Sequence, residues 1–283
     1  MRADINYSDI IDSDEARIAQ AAADKAPFLP SAEIDPYKFF ITQDTSKYTQ
    51  EDNDVWRIMF TERMKSLADQ ASDVFLTGLD QIGLVPERVP KVADINRRLQ
   101  DLTGWESHPV PGYLPAKSFF ACLAARRFPT TITMRPRELM NYLPEPDIFH
   151  DVFGHVPLHA DPVFAEFLQT YGKAALFCED PYHIERLARL FWFTVEFGLI
   201  RENGKVKLYG SGLISSIGES FHALESDHVD RRPFDMDRVC DTPFEIDHYQ
   251  PILYVLESFE QLRDSMNSYA ERVLEESGAL EVL

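Results

Sequence analysis

The chain has 283 residues, 45% hydrophobic and 27% charged, with a formal net charge of −19. That composition belongs to a globular protein with a sizeable core, and the acidity argues against nucleic acid or an anionic membrane surface as partner. No run approaches the roughly 18 apolar residues of a membrane span, the opening MRADINYSDIIDSDEARIAQ has no apolar signal core, and the cysteines, Cys122, Cys178 and Cys240, form no CxxC pair. A cytoplasmic location with reduced cysteines is the expectation.

Residues 1–30 are acidic and alanine-rich and read as a loosely ordered arm ahead of a single domain over residues 31–283. Residues 31–46 read as an extended segment laid over a core. Thr49, with Asp52 three residues on, makes a capping box. Trp56, Phe60, Met64, Leu67 and Ala71 then recur at helical spacing, so a long core helix starts there. The pattern breaks over 78–90. Another helix is expected over 91–102, stopped at Thr103-Gly104. Pro109, Pro111, Gly112 and Pro115 make the next stretch a loop. From Ser118 the chain turns helical, with Phe119, Phe120, Leu123 and Phe128 as core or ring-stacking candidates. TTITMR (130–135) is β-like and ends on Arg135, whose guanidinium can pair with the carboxylate of a ligand or of a surface neighbour.

Residues 143–164, LPEPDIFHDVFGHVPLHADPVF, concentrate the chemistry. As an α-helix, 148–156 advances about 100° per residue. Ile148, Phe149, Val152, Phe153 and Val156 then share an apolar arc, and His150 and His155 border the opposite arc with only Asp151 and Gly154 between them. Two imidazoles leaning over the gap at Gly154 suit an open metal site; ordinary surface or cap histidines are the alternative. The i, i+5 spacing is not that of the HExxH zinc proteases. His159 is i+4 from His155, but Pro157 intervenes, which places it around the site or at the surface.

Helical periodicity resumes over 161–175. A second decisive helix is expected over 184–199, with Ile184, Leu187, Ala188, Phe191, Val195 and Leu199 in one stripe. Glu196 sits within LFWFTVEFGLI, where a buried carboxylate needs a cation, a donor or a metal. Residues 205–209 suggest a short strand. Gly210, Gly212 and Gly218 then surround Ser215, Ser216 and Glu219 in a stretch that can line a pocket or cap turns. Residues 220–250 read as loops, and 257–283 as a surface helix and tail without coiled-coil heptads. Two histidines and one carboxylate with the remaining positions open are the ligand set of mononuclear non-haem iron(II) oxygenases; a closed zinc site would draw on cysteines.

Over residues 49–220, most strongly in PEPDIFHDVFGHVPL, FWFTVEFGL and YGSGLISSIGE, the chain resembles the pterin-dependent aromatic amino acid hydroxylases, and among them the single-domain bacterial members that act on phenylalanine. The resemblance implies a mostly α fold with short β-strands, that of the hydroxylase catalytic domain. It implies Fe(II) and tetrahydrobiopterin or a related tetrahydropterin as cofactors, dioxygen as co-substrate, and ring hydroxylation of an aromatic amino acid, phenylalanine to tyrosine first among them. Matched by motif position, His150, His155 and Glu196 are the iron ligands and Glu145 is an acid close to the iron. Gly112, Leu114 and Ala116 contact the pterin through backbone, Phe119 stacks on it, and Asp151 approaches it. Arg135 clamps the amino acid carboxylate, and Pro146, Trp192, Phe197, Ser215 and Glu219 surround the substrate. The family's regulatory N-terminal domain and tetramerisation helix have no counterpart, which implies a monomer. Phe191 stands where many relatives carry tyrosine, Leu143 where animal members have threonine, and His222 near a position often aromatic. Tryptophan or tyrosine as substrate, or meta hydroxylation of phenylalanine, are variants of the same chemistry. A zinc-dependent hydrolase or a non-catalytic binding protein would put the same pocket to another use.

Overall fold

Thr49 caps helix α1 (Gln50–Gln70) as its spacing predicts: its side chain accepts from the Asp52 amide, and the Asp52 carboxylate accepts from the Thr49 amide at 2.7 Å. The computed structural model describes residues 36–112, 114–140, 146–244 and 249–283. The arm expected over residues 1–30, together with Leu143 and Glu145, lies outside the described residues. Helix α1 buries Trp56, Phe60 and Leu67 and stops where Ser72 caps a second helix, α2 (Asp73–Gln81). The break expected from residue 78 therefore comes later. Gly78 lies inside α2 because the helix presses on the backbone of Pro157: a Cβ at residue 78 would stand 2.0 Å from that carbonyl oxygen.

Helix α3 (Val92–Leu102) closes at Thr103 and Gly104 as expected. Strand β1 (Glu106–Val110) forms where a loop was expected. It pairs in parallel with β2 (Arg127–Thr131), in register from Glu106↔Arg127 to Val110↔Thr131, with helix α4 (Ala116–Ala124) as the crossover. Strand β2 thus starts ahead of the β-like TTITMR segment and takes in only its first two residues, Thr130 and Thr131.

The histidine segment is a π-helix, Phe149–His155, and not an α-helix. Phe149 and Phe153 stack at 4.7 Å between centroids; Trp56 and Phe60 of α1 meet them edge-on at 5.4 and 5.1 Å. A short turn, Val156–Ala160, leads to α5 (Pro162–Phe177), capped by Asp161. His159 in that turn is fully buried against Trp105 and Phe128, so a surface position is excluded.

Helix α6 (Pro181–Phe191) gives way to a second π-helix, Trp192–Glu196. The helix expected through residue 199 ends there, and Leu199 opens β3 (Leu199–Glu202), which forms a hairpin with β4 (Lys205–Leu208). Next come α7 (Ser211–Ser215) and α8 (Ile217–Glu225). The region expected as loops carries most of α8, strand β5 (Asp230–Pro233) and α9 (Met236–Asp241). Strand β6 (Ile252–Leu256) completes a sheet of order β4-β3-β6-β5. Helix α10 (Phe259–Glu276) packs against α5 and buries a full face, including Phe259, Leu262, Met266, Tyr269 and Val273. The expected surface helix is therefore half core. All three cysteines are buried and free. Among the described residues no helix is long and apolar enough to cross a membrane.

The contact at Gly78 yields a test of the packing. Gly78→Ala should destabilise the fold by on the order of 1–3 kcal/mol, because backbone blocks the new methyl. Denaturant unfolding indistinguishable from the parent chain would count against that packing.

Candidate metal centre and active site

Residues five apart in an α-helix point about 140° away from each other. The i→i+5 hydrogen bonding of a π-helix widens the turn, so the fifth residue lies nearly above the first. His150 and His155 are related in this way, and their Nε2 atoms are 3.3 Å apart. Glu196 ends the second π-helix and completes the cluster, with Oε1 3.3 Å from His150 Nε2 and Oε2 3.3 Å from His155 Nε2. The sequence-predicted ligands therefore converge, with one ligand atom of each within 4.8 Å of the others.

Hydroxyl groups of α7 hold two of the three. His150 Nδ1 lies 2.9 Å from Ser215 Oγ. With the proton on Nδ1 and donated to the serine, Nε2 keeps its lone pair for the centre. Ser211 Oγ donates to Glu196 Oε2 at 2.8 Å. Burial alone would raise the Glu196 carboxyl, but the His150 and His155 rings and the Ser211 hydroxyl overcome it and hold the group low, at about 2. The residues fit a metal ion. A spacing near 3.3 Å is what ligands about 2.1 Å from one ion display, and the donor set is that of an open iron(II) site. Helix α7 is itself anchored from α1: buried Arg63 donates from Nε to Ile214 O at 2.7 Å and from Nη2 to Leu213 O at 3.2 Å. Burial lowers this guanidinium to about 10.

Two aspartates flank His150. Asp147 accepts from the His150 amide through Oδ1 at 3.0 Å and grips Arg135 bidentately, Nη2 to Oδ1 at 2.8 Å and Nε to Oδ2 at 2.7 Å. This pair is buried, 9% and 1% exposed, so Arg135 is not in a surface salt bridge. On its Nη1–Nη2 edge the guanidinium makes one further contact, from Nη1 to Met140 O at 3.4 Å. Asp151 turns the other way, its Oδ2 accepting from the amide and hydroxyl of Thr131, both at 2.7 Å. Burial raises its carboxyl to about 6, against the His150 ring and the Thr131 donors.

Because β1 and β2 are parallel, Thr131 and Val110 sit at the same end of the ribbon. The loop bearing Gly112 and Leu114, and Ala116 at the start of α4, therefore leave from beside Asp151. Phe119 lies edge-on to Phe191 at 5.7 Å and to Phe128 at 6.4 Å, and Phe128 leans on the His155 ring at 4.8 Å. On the other side, Trp192 stacks on Phe244 at 4.5 Å and packs on Phe197 at 4.7 Å; its buried Nε1 has no hydrogen-bond partner among the described residues. Pro146, Ser215 and Glu219 are half-buried. Burial, with the charge of Glu196 added, raises the Glu219 carboxyl to about 7. His222 donates from Nε2 to Gln250 O at 3.2 Å and stacks on Tyr249.

Sequence reasoning missed Asp147, Thr131 and Ser211. Asp147 carried a signal, an acid three residues before an amide in the cap arrangement. Ser211 and Thr131 carried none, because their partners lie 15 and 20 residues away.

The fold and this centre are those of a pterin-dependent hydroxylase. The chain belongs to the biopterin-dependent aromatic amino acid hydroxylase family, whose model matches residues 34–278. It is 43% identical over 227 residues to the phenylalanine-4-hydroxylase of Ralstonia nicotianae, covering 80% of this chain and 72% of that one. Among solved structures, it resembles Chromobacterium violaceum phenylalanine hydroxylase with bound iron(III) and 7,8-dihydrobiopterin (TM-score 0.80, 37% identity, covering 88% of this chain and 94% of that one). It also resembles the iron- and phenylalanine-bound form of the same enzyme (TM-score 0.78, 38% identity, 85% and 89% covered).

The raised Glu219 carboxyl has a stability consequence. A carboxyl whose folded pKa lies above the ordinary 4.5 favours folding below that value, and the advantage is lost as pH rises through about 7. In the metal-free protein, Glu219→Gln should raise Tm at pH 8 and leave it nearly unchanged at pH 4. An equal change at both pH values would contradict the assignment.

Proposed function

We propose that the chain is an iron(II)- and tetrahydropterin-dependent monooxygenase that converts L-phenylalanine to L-tyrosine. The observation that carries this reading is the cluster of His150, His155 and Glu196, with the Arg135 fork tied through Asp147 to the backbone of its first histidine. Bound iron(II) and reduced pterin supply the electrons that activate dioxygen, so that one oxygen atom enters the ring. The two histidines and Glu196 hold the iron from one side and leave the opposite positions open. Arg135, aimed by Asp147, receives the amino acid carboxylate on its Nη1–Nη2 edge. Trp192, Phe197 and Pro146 wall the substrate ring, and Ser215 and Glu219 close the polar side. Phe119 stacks on the pterin, the backbone of Gly112, Leu114 and Ala116 meets its polar edge, and Asp151 approaches it. By motif position Glu145, outside the described residues, is assigned as a further acid for the iron site. The surrounding aromatic side chains keep bulk water from the reacting groups. Phe191 places a ring without a hydroxyl against Phe119, so a hydroxyl carried near the iron by many relatives is missing.

The name and bound ligand of the bacterial relatives support phenylalanine as the substrate. A monomer is supported by α10, whose apolar face is buried within its own chain. A cytoplasmic location is supported by three buried, unpaired cysteines.

Iron(II)-loaded protein given tetrahydrobiopterin, dioxygen and each aromatic amino acid in turn should release tyrosine from phenylalanine, identified by mass and chromatography, only when both iron and pterin are present. A meta-hydroxylated product, or turnover of tryptophan or tyrosine alone, would move the substrate assignment; no product with copurifying zinc would overturn the oxygenase reading. Glu196→Ala should abolish stoichiometric iron binding. Arg135→Lys should raise the KM for the amino acid about tenfold or more, with a smaller change in kcat; an unchanged KM would remove Arg135 from substrate binding.

A further inference from the structure

Helix α7 presents two serines one turn apart, and each reaches a different member of the metal cluster. Ser215 meets the ring of His150, and Ser211 donates to Glu196 Oε2 at 2.8 Å. Ser211 is 1% exposed, so no water competes for its hydroxyl. Its position depends on the π-helix. Gly154 faces it without a side chain, and a Cβ there would stand 3.2 Å from both the Cβ and the carbonyl oxygen of Ser211. The slot at Gly154 therefore admits α7 close enough for the hydroxyl to reach the carboxylate.

The consequence lies in how a carboxylate can bind a metal. It can use one oxygen, or it can turn and use both, which fills a further coordination position. In this cluster Oε1 faces His150 and Oε2 faces His155, each at 3.3 Å. The two oxygens differ in one respect: Oε2 alone accepts from Ser211, which occupies one of its lone pairs and withdraws charge from it. Turning the carboxylate to share both oxygens equally would bend or break that bond, and the buried Ser211 hydroxyl has no water to replace it.

We propose that Ser211 is a positioning residue that holds Glu196 to the metal through Oε1 alone and so keeps a coordination position open for the reactants. The proposal rests on the iron-site reading above and goes beyond it: it assigns to a hydroxyl that touches neither substrate nor metal the number of positions at which chemistry can occur.

The test compares the parent chain with Ser211→Ala and Ser211→Thr, the second keeping the hydroxyl. Cobalt(II) loaded in place of iron reports coordination through its visible absorption, which weakens as ligands are added. In Ser211→Ala the absorption per cobalt should fall. Tyrosine formed per pterin oxidised by the iron form should drop about tenfold, while metal affinity changes by less than the tenfold common for a lost outer partner, since the second oxygen replaces the lost restraint. Ser211→Thr should restore both readouts. A purely structural serine would shift Tm and leave the cobalt spectrum of the folded fraction alone, and that result would overturn the proposal. Should Ser211→Ala fail to fold, Ser211→Cys, similar in size with a weaker donor, is read by the same criteria. A parent chain that binds metal and hydroxylates, beside a Ser211→Ala variant identical in spectrum and coupling, overturns this proposal alone. A parent chain that binds neither cobalt nor iron overturns it together with the reading beneath it.

Discussion

Two imidazole nitrogens stand 3.3 Å apart, and each is 3.3 Å from one of the two oxygens of a single carboxylate. Burying this arrangement costs desolvation, which the attraction between the rings and the carboxylate offsets in part and a cation among them would offset further. The rest of the structure is what holds it. Two π-helices, each rarer and less favourable than an α-helix, aim the ligands inward. The stacked Phe149 and Phe153, clasped by Trp56 and Phe60, keep the first of them from relaxing. Arg63 fixes α7 by its carbonyl groups, and α7 fixes two ligands by its hydroxyls. The stabilisation that sustains the cluster comes from core packing tens of residues away in sequence.

The first ligand also divides the site. Asp147, three residues before His150, reaches towards Arg135 and the side proposed for the amino acid. Asp151, one residue after it, reaches towards Thr131 and the ribbon end from which the proposed pterin loop departs. One turn of backbone thus ties the two proposed binding regions to the same imidazole. The division of labour comes from the partners rather than from the helix, since residues four apart share a helix face: Arg135 draws the Asp147 carboxylate one way and Thr131 draws that of Asp151 the other.

Much of this was legible in the chain and some was not, for identifiable reasons. The capping box at Thr49 and Asp52 is local chemistry and reads directly. His150 and His155 were legible from their place on either side of Gly154, opposite an apolar arc, and Glu196 because a carboxylate in apolar surroundings demands a partner. The π-helices were hidden: residues 149–155 are buried almost all round, His150 excepted, and a segment buried on every side carries no period from which to tell one helix type from another. Strand β1, ESHPV, looked like a loop because of Pro109, yet proline is tolerated in a two-stranded ribbon, where every strand is an edge. The elements α8, β5 and α9 are short and polar on their outer faces, so tertiary pairing decides them rather than local pattern. The links from Asp151 to Thr131 and from Ser211 to Glu196 join segments that only the fold brings together.

The metal cluster also has an order of assembly written into it. Its first two ligands leave the ribosome 41 residues before the third (155 to 196), and the anchoring contact between Arg63 and Ile214 spans 151 positions. A growing chain that has passed the histidines possesses only a bidentate imidazole pair on an unsupported segment. It cannot offer the finished triad until α7 has been made and has closed against α1. Coordination by all three ligands therefore belongs to the completed domain.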